Sequence, residues 1–165
     1  MESFLRVLFD TNIYGLIAKE AKPDEILARI ANSKIIVCGS KVVRNELRKI
    51  PLKKNEKARK LRNDVLKYYG LLVKDKRDYA VNKLISELAE EYGKAFRIEN
   101  KAQGLEHDFL IVATASIHQI KIVCSNDENT MKSPAAIKAY AQVNGRFQLP
   151  KPEFISLEKF KELIK

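Results

Sequence analysis

Apolar residues along this chain fall into two alternating patterns: short unbroken runs, and longer stretches in which they recur every three or four positions. Residues 4–9 (FLRVLF), 34–39 (KIIVCG) and 120–125 (IKIVCS) are runs of the first kind. Their shortness and near-continuous hydrophobicity predict strands buried on both faces. PEFIS (152–156) predicts a last edge strand, and LLVK (71–74) reads as a further short one. Between these runs the spacing becomes helical. One helix is expected from Asn12, and another from Pro23 or Asp24 to Ala31, where proline suits the first turn. Ser40 is placed to cap a helix running to Ile50, stopped by Pro51. Ala58, Leu61, Val65, Tyr68, Tyr69 and Leu72 form one long amphipathic face; Val81, Leu84, Ile85, Leu88, Ala89, Tyr92 and Phe96 form a second. Residues 105–119 contain FLIVATASI, apolar on nearly every side, which predicts a buried helix. Residues 133–143 predict another, and Ser156 caps a closing helix, SLEKFKELIK.

Strands alternating with helices predict a three-layer α/β/α sandwich around a mainly parallel sheet. The 165 residues suit one domain, and no repeat, low-complexity tract or linker interrupts them. In such folds ligands sit outside the carboxyl ends of the strands, so the residues just after each apolar run carry the chemical interest.

Composition narrows the class. With 45% hydrophobic and 32% charged residues the chain is neither disordered nor a membrane bundle. The opening MESFLRVLF is too short for a signal peptide and is cut off by Asp10. Cys38 and Cys124 cannot build a disulfide framework; both lie in apolar runs and read as reduced, packed thiols of a cytoplasmic protein. The net charge of +10 is uneven. Arg48, Lys49, Lys53, Lys54, Lys57, Arg59, Lys60 and Arg62, against the single acid Glu56, put +7 of it into residues 48–62. Such a patch suits a polyanion, because Lys and Arg that neutralise phosphates release condensed counterions. A solvated face on a Lys- and Glu-rich protein is the plainer alternative.

Four acids stand at positions that packing alone would give to other residues. Asp10 follows Val7, Leu8 and Phe9 at the end of one strand, and Asp127 follows another. Glu46 shares a helical row with Val42 and Ile50, and Asp108 shares one with Ile111, Val112 and Ala115. Each has an ordinary explanation. Asp10 and Asp108 suit helix caps, Asp127 a loop, and Glu46 an ion pair with Arg44, Arg48 or Lys49. If the strands are adjacent, however, all four meet at one end of the sheet. Like charges about 4 Å apart repel by about 4 kcal/mol at an effective dielectric of 20, so such a cluster calls for protons or cations. An all-oxygen set favours Mg²⁺ or Mn²⁺.

Other chemistry is poorly supported. His107 and His118 lack a second histidine at metal-ligand spacing, though His107 adjoins Asp108 at the rim of the cluster. Tyr68, Tyr69 and Tyr79 lie near basic residues and suit base stacking, but tyrosine at helical spacing is more often core. Neither GxxxxGK[ST] nor GxGxxG occurs, and no serine or cysteine has a plausible histidine base.

FDTN (9–12), Ser40 followed by Glu46, HDFLIVATAS (107–116) and SNDEN (125–129) together resemble the acidic motifs of PIN-domain ribonucleases, in order, spacing and flanking structure. The resemblance spans essentially the whole chain, and it is to small toxins and stand-alone archaeal members alike. It implies a Mg²⁺- or Mn²⁺-dependent endoribonuclease in which Asp10, Glu46, Asp108 and Asp127 bind metal. Thr11, Asn12, Ser40 and Ser125 would support them. Many members carry a further acid where this chain has Asn129, a neutral donor, which bears on a second metal site. Hydrolysis there leaves 5′-phosphate and 3′-hydroxyl ends. The basic segment 48–62 would offset the repulsion between the acids and RNA. Implied partners are RNA, an antitoxin protein and a second copy of the chain. An RNA-processing nuclease without antitoxin, or a silent RNA- or protein-binding module, are the alternatives; retention of all four acids favours catalysis.

Overall fold

The computed structural model describes residues 3–50, 55–97 and 104–165. Its sheet is five-stranded and wholly parallel, in the order β3-β2-β1-β4-β5. The strands are β1 (Leu5–Phe9), β2 (Ile35–Ser40), β3 (Asp78–Tyr79), β4 (Ile122–Cys124) and β5 (Glu153–Ile155). β1 is central: Leu8 is in register with Cys38 on one side and Val123 on the other. Val7, Leu8 and Phe9 are fully buried, which is why the run cannot alternate with polar residues.

The helices are α1 (Thr11–Ala18), α2 (Pro23–Ala31), α3 (Lys41–Arg48), α4 (Glu56–Leu72), α5 (Lys83–Arg97), α6 (Glu106–Ile117), α7 (Pro134–Phe147) and α8 (Leu157–Leu163). The chain steps outward from β1 to β2 and β3, then returns to lay β4 and β5 on the other side. Right-handed crossovers put the two sets of connecting helices on opposite faces. Accordingly α1, α2 and α4 pack together, and so do α5, α6 and α7. This is the α/β/α sandwich expected from the sequence.

Local signals act as read. The Ser40 hydroxyl accepts from Val42 N, and that of Ser156 from Lys159 N, while Pro23 opens α2. Cys38 and Cys124 are buried and unpaired with each other. Pro51 lies outside the described residues. Two expectations need correction. Residues 71–74 are not a strand: Leu71 and Leu72 finish α4, whose face they continue. The outer strand is instead Asp78–Tyr79, two residues long, held by side chains. The Asp78 side chain, only 5% exposed, accepts from Tyr69 Oη (2.6 Å) and Lys41 Nζ (2.9 Å) and lies 3.1 Å from Arg44. The helix expected over 133–143 continues to Phe147, where Gln148 takes a left-handed conformation and ends it.

On the other face a buried polar triangle fixes three helices. Tyr92 Oη donates to Asn144 Oδ1 at 2.6 Å, and Asn144 Nδ2 donates to Ser116 Oγ at 2.9 Å and to Pro150 O at 3.2 Å. Among the described residues no helix is long and apolar enough to cross a membrane.

Candidate active site at the carboxyl ends of the strands

The point where the chain reverses its direction across the sheet lies between β1 and β4, and a crevice opens there in parallel sheets. Asp10 N donates to Cys124 O at 2.9 Å, extending the pairing of the two strands by one residue. The backbone therefore delivers Asp10 from β1 and Ser125 from β4 to neighbouring places. The Ser125 hydroxyl donates to Asp10 Oδ2 at 2.7 Å and accepts from Asp127 N at 3.1 Å. One serine, 115 residues from Asp10 in sequence, thus ties the two strand-end acids together.

Asp10 is also the N-cap of α1, accepting from Thr11 N at 2.7 Å. It is only 5% exposed, and burial pushes its carboxyl up to about 6, helped by Glu46 and Asp127 and opposed by the Ser125 and Thr11 bonds. Asp108, in the first turn of α6, is pushed up to about 7, again mainly by burial. A bond from Thr130 opposes that rise, while Asp10, Asp127 and Glu46 add to it. Asp10 and Asp108 are thus each within electrostatic reach of Glu46, Asp127 and one another.

Asp127 sits in a tight turn. Its Oδ1 accepts from Asn129 N (3.2 Å) and Thr130 N (3.0 Å), and the Thr130 hydroxyl donates to its Oδ2. Glu46 does not pair with Arg44, Arg48 or Lys49. Arg44 is drawn to Asp78, and Glu46 faces His107, whose Nδ1 lies 3.4 Å from Oε1. That contact lacks hydrogen-bond alignment, so Glu46 Oε1 is buried without a donor; Thr11 Oγ1 is likewise buried and unpartnered. Asn12 Oδ1 accepts from Asn126 N at 3.4 Å, and Ser40 acts through its cap on α3.

The acids are neighbours rather than a closed cage. Among the described residues no three Asp, Glu, His or Cys side chains are gathered closely enough to share one ion. Asp10 is held by Ser125 and the first turn of α1, and Asp127 by its own turn.

Of the basic segment, Arg48, Lys49, Lys57, Arg59 and Lys60 are exposed, and Arg62 is half-buried with Nε donating to Arg48 O at 3.3 Å. Lys53 and Lys54 lie outside the described residues. Tyr68 and Tyr69 belong to the core, and Tyr79 stacks on His118 with ring centroids 3.7 Å apart. Two neighbours of the acids went unnoticed in the sequence. Thr130 donates its hydroxyl to Asp127 beside Asp108, and Lys132 Nζ donates to Ser125 O at 3.0 Å. Both lie in a polar stretch without periodicity, where nothing marks them out.

No protein of curated function matches the sequence. Among solved structures the chain is similar to FitAcB from Neisseria gonorrhoeae, at 19% identity and a TM-score of 0.56, covering 79% of this chain and 92% of that one. It is also similar to VapBC2 from Rickettsia felis bound to a DNA fragment from their promoter, at 13% identity and a TM-score of 0.56, covering 92% and 98%. Those likenesses concern the fold. The model of the PIN domain matches residues 7–136. Because that match runs from β1 into the first turn of α7, taking in every strand end and helix that carries one of the acids, the chain belongs to the PIN domain family.

Proposed function

We propose that this PIN domain is a divalent-metal-dependent endoribonuclease, the toxin of a toxin–antitoxin pair. The observation that carries the reading is the crowding of four carboxylates at the strand ends, two of them buried enough that ionisation is disfavoured. The residues fit a Mg²⁺ or Mn²⁺ ion. All the donors are oxygens, as these ions prefer, and Glu46 Oε1 and Thr11 Oγ1 are buried without hydrogen-bond partners. Asp10, Glu46, Asp108 and Asp127 would hold the ion by drawing in around it, since among the described residues no three of them stand closely enough in its absence. When bound, the ion supplies positive charge that polarises the phosphodiester and eases loss of a proton from water.

The remaining groups act by orientation. Ser125 holds Asp10 and the backbone of Asp127 in one register, and the Thr130 hydroxyl and backbone hold the Asp127 carboxylate. The exposed cations Arg48, Lys49, Lys57, Arg59 and Lys60, with Arg62, Lys53 and Lys54 of the same segment, would draw RNA toward a site whose own charge repels it. The likeness to the FitAB and VapBC assemblies supports an antitoxin as partner. A second copy of the chain and a cytoplasmic location belong to the same reading.

The test is cleavage of an end-labelled, mixed-sequence RNA in Mn²⁺, Mg²⁺ or EDTA, with Asp10→Asn and Asp127→Asn alongside. Metal-dependent cleavage leaving 5′-phosphates, lost in both variants, is the expected result. Undiminished cleavage in excess EDTA would overturn the mechanism. Absence of both cleavage and calorimetric metal binding would make the chain a non-enzymatic member of its family.

A further inference from the structure

α1 begins at the acids and leads away from them. Asp10 is its N-cap and Lys19 its C-cap, about 13 Å further along at 1.5 Å per residue. Ile13, Tyr14 and Ile17 face the core, which leaves Asn12, Gly15, Leu16 and Lys19 as a partly exposed stripe along the same helix. Glycine is disfavoured inside a helix, and packing does not explain this one: a Cβ built on Gly15 would meet nothing within 4 Å. Gly15 therefore leaves an open, side-chain-free gap in the stripe between the acids and Lys19.

At its far end α1 packs against α4, and the two helices enclose a cleft of about 410 Å³. Lys19, Lys57 and Lys60 line it, together with Ala18, Leu61 and Asp64. Asp64 lies 3.7 Å from Lys60 and so neutralises that lysine in part. No carboxylate among the described residues pairs with Lys19 or Lys57. Two unmatched cations from different helices thus converge on one concave place, a separation from the acids that only a few extended nucleotides span.

We infer that single-stranded RNA runs from the carboxylates along the Asn12–Gly15–Lys19 stripe of α1 and sets a backbone phosphate between Lys19 and Lys57. The inference rests on the nuclease reading and deepens it, giving the substrate a direction across the surface and adding Gly15 and Lys19 to the groups that bind it. Gly15 lets the strand approach the helix, and Lys19 and Lys57 anchor it beyond the scissile bond.

The experiment measures fluorescence anisotropy of a labelled twelve-nucleotide single-stranded RNA, in Mg²⁺, on full-length protein carrying Asp127→Asn so that the RNA stays intact. Cleavage by the unaltered chain runs in parallel. Lys19→Gln with Lys57→Gln is expected to weaken binding about tenfold and to lower the slope of log affinity against log salt by about 0.7 for each phosphate no longer neutralised. Lys121→Gln with Lys151→Gln removes the same charge at the amino ends of β4 and β5, and should change neither. Gly15→Gln leaves the charge alone and improves helix propensity, so it should weaken binding while the melting temperature holds or rises. Equal losses in the two lysine pairs, or no loss in either, with RNA still bound by the parent and cleaved by the unaltered chain, would overturn the inference alone. If the parent neither binds nor the unaltered chain cleaves RNA, the nuclease reading itself fails and this inference with it.

Discussion

Removing the charge of Asp10 should make the metal-free protein more stable at neutral pH. The carboxyl is pushed from 3.8 up to about 6, mainly by burial, and each tenfold change in proton affinity corresponds to about 1.4 kcal/mol. Ionised Asp10 therefore costs the fold about 3 kcal/mol relative to the protonated form. The folded protein holds its proton more tightly than the unfolded chain does. Its stabilising contribution is complete below pH 4 and is lost as the pH rises through about 6. Asp108, pushed up to about 7, adds a loss of the same sign over a slightly higher range.

Asp10→Asn keeps the shape and an oxygen for Thr11 N, and the Ser125 hydroxyl can rotate to accept from the new amide. In EDTA at pH 8 the variant should gain up to about 3 kcal/mol, or about 6–12 °C in melting temperature for a chain of this size. At pH 4 the two proteins should melt nearly together. Saturating Mn²⁺ should then reverse the order, because an ion that binds only the folded state stabilises the unaltered site. Thermal melts by circular dichroism across pH 4–8, with and without Mn²⁺, read all of this. A variant that melts below the parent at pH 8 in EDTA would refute the reasoning, since it would show the carboxylate to be a net stabilising cap.

Three further outcomes are expected. Gly39→Ala should cost about 2–4 kcal/mol in urea unfolding, because its Cβ would lie 2.2 Å from Tyr69 Oη and push that ring off Asp78 and Ser40. Tyr92→Phe should cost about 1–3 kcal/mol by leaving Asn144 Oδ1 buried without its donor, while calorimetric Mn²⁺ affinity stays unchanged. Thr130→Val, nearly isosteric, should lower Mn²⁺ affinity about tenfold through the loss of a ligand-orienting hydroxyl, and shift stability far less than Gly39→Ala does.

The central strands and the acids were legible in the sequence for one reason. Val7–Phe9 and Ile122–Cys124 are buried on both faces, so their runs are continuous, and the charge that follows each stands out against them. Glu46 and Asp108 were legible because helical spacing puts each beside apolar residues. β3 was not, because Asp78 and Tyr79 form no apolar run. Their place in the sheet is set by Tyr69 and Lys41, nine and thirty-seven residues away. The same long-range bond drew Arg44 from Glu46, which no local pattern could announce. Thr130 was hidden for a related reason: its role depends on α6 delivering Asp108 beside the loop after β4.

The ordinary explanations of the acids turn out to be partly true, and magnitudes show where they stop. Asp10 does cap α1 and Asp127 does close a turn. A cap contributes about 1 kcal/mol, and an exposed serine or asparagine would supply it. The burial of Asp10 costs about 3 kcal/mol when it is ionised, so capping does not offset its position. Nor does capping account for Glu46, which closes no helix end and buries an oxygen without a hydrogen-bond donor, 3.4 Å from His107 Nδ1. A polar network built for stability would pair that oxygen with a donor from the chain, as Asp78 is paired with Tyr69, Lys41 and Arg44 a short way along the same sheet edge. The contrast between the fully paired Asp78 and the buried, donorless Oε1 of Glu46 is what points to a cation from outside the chain.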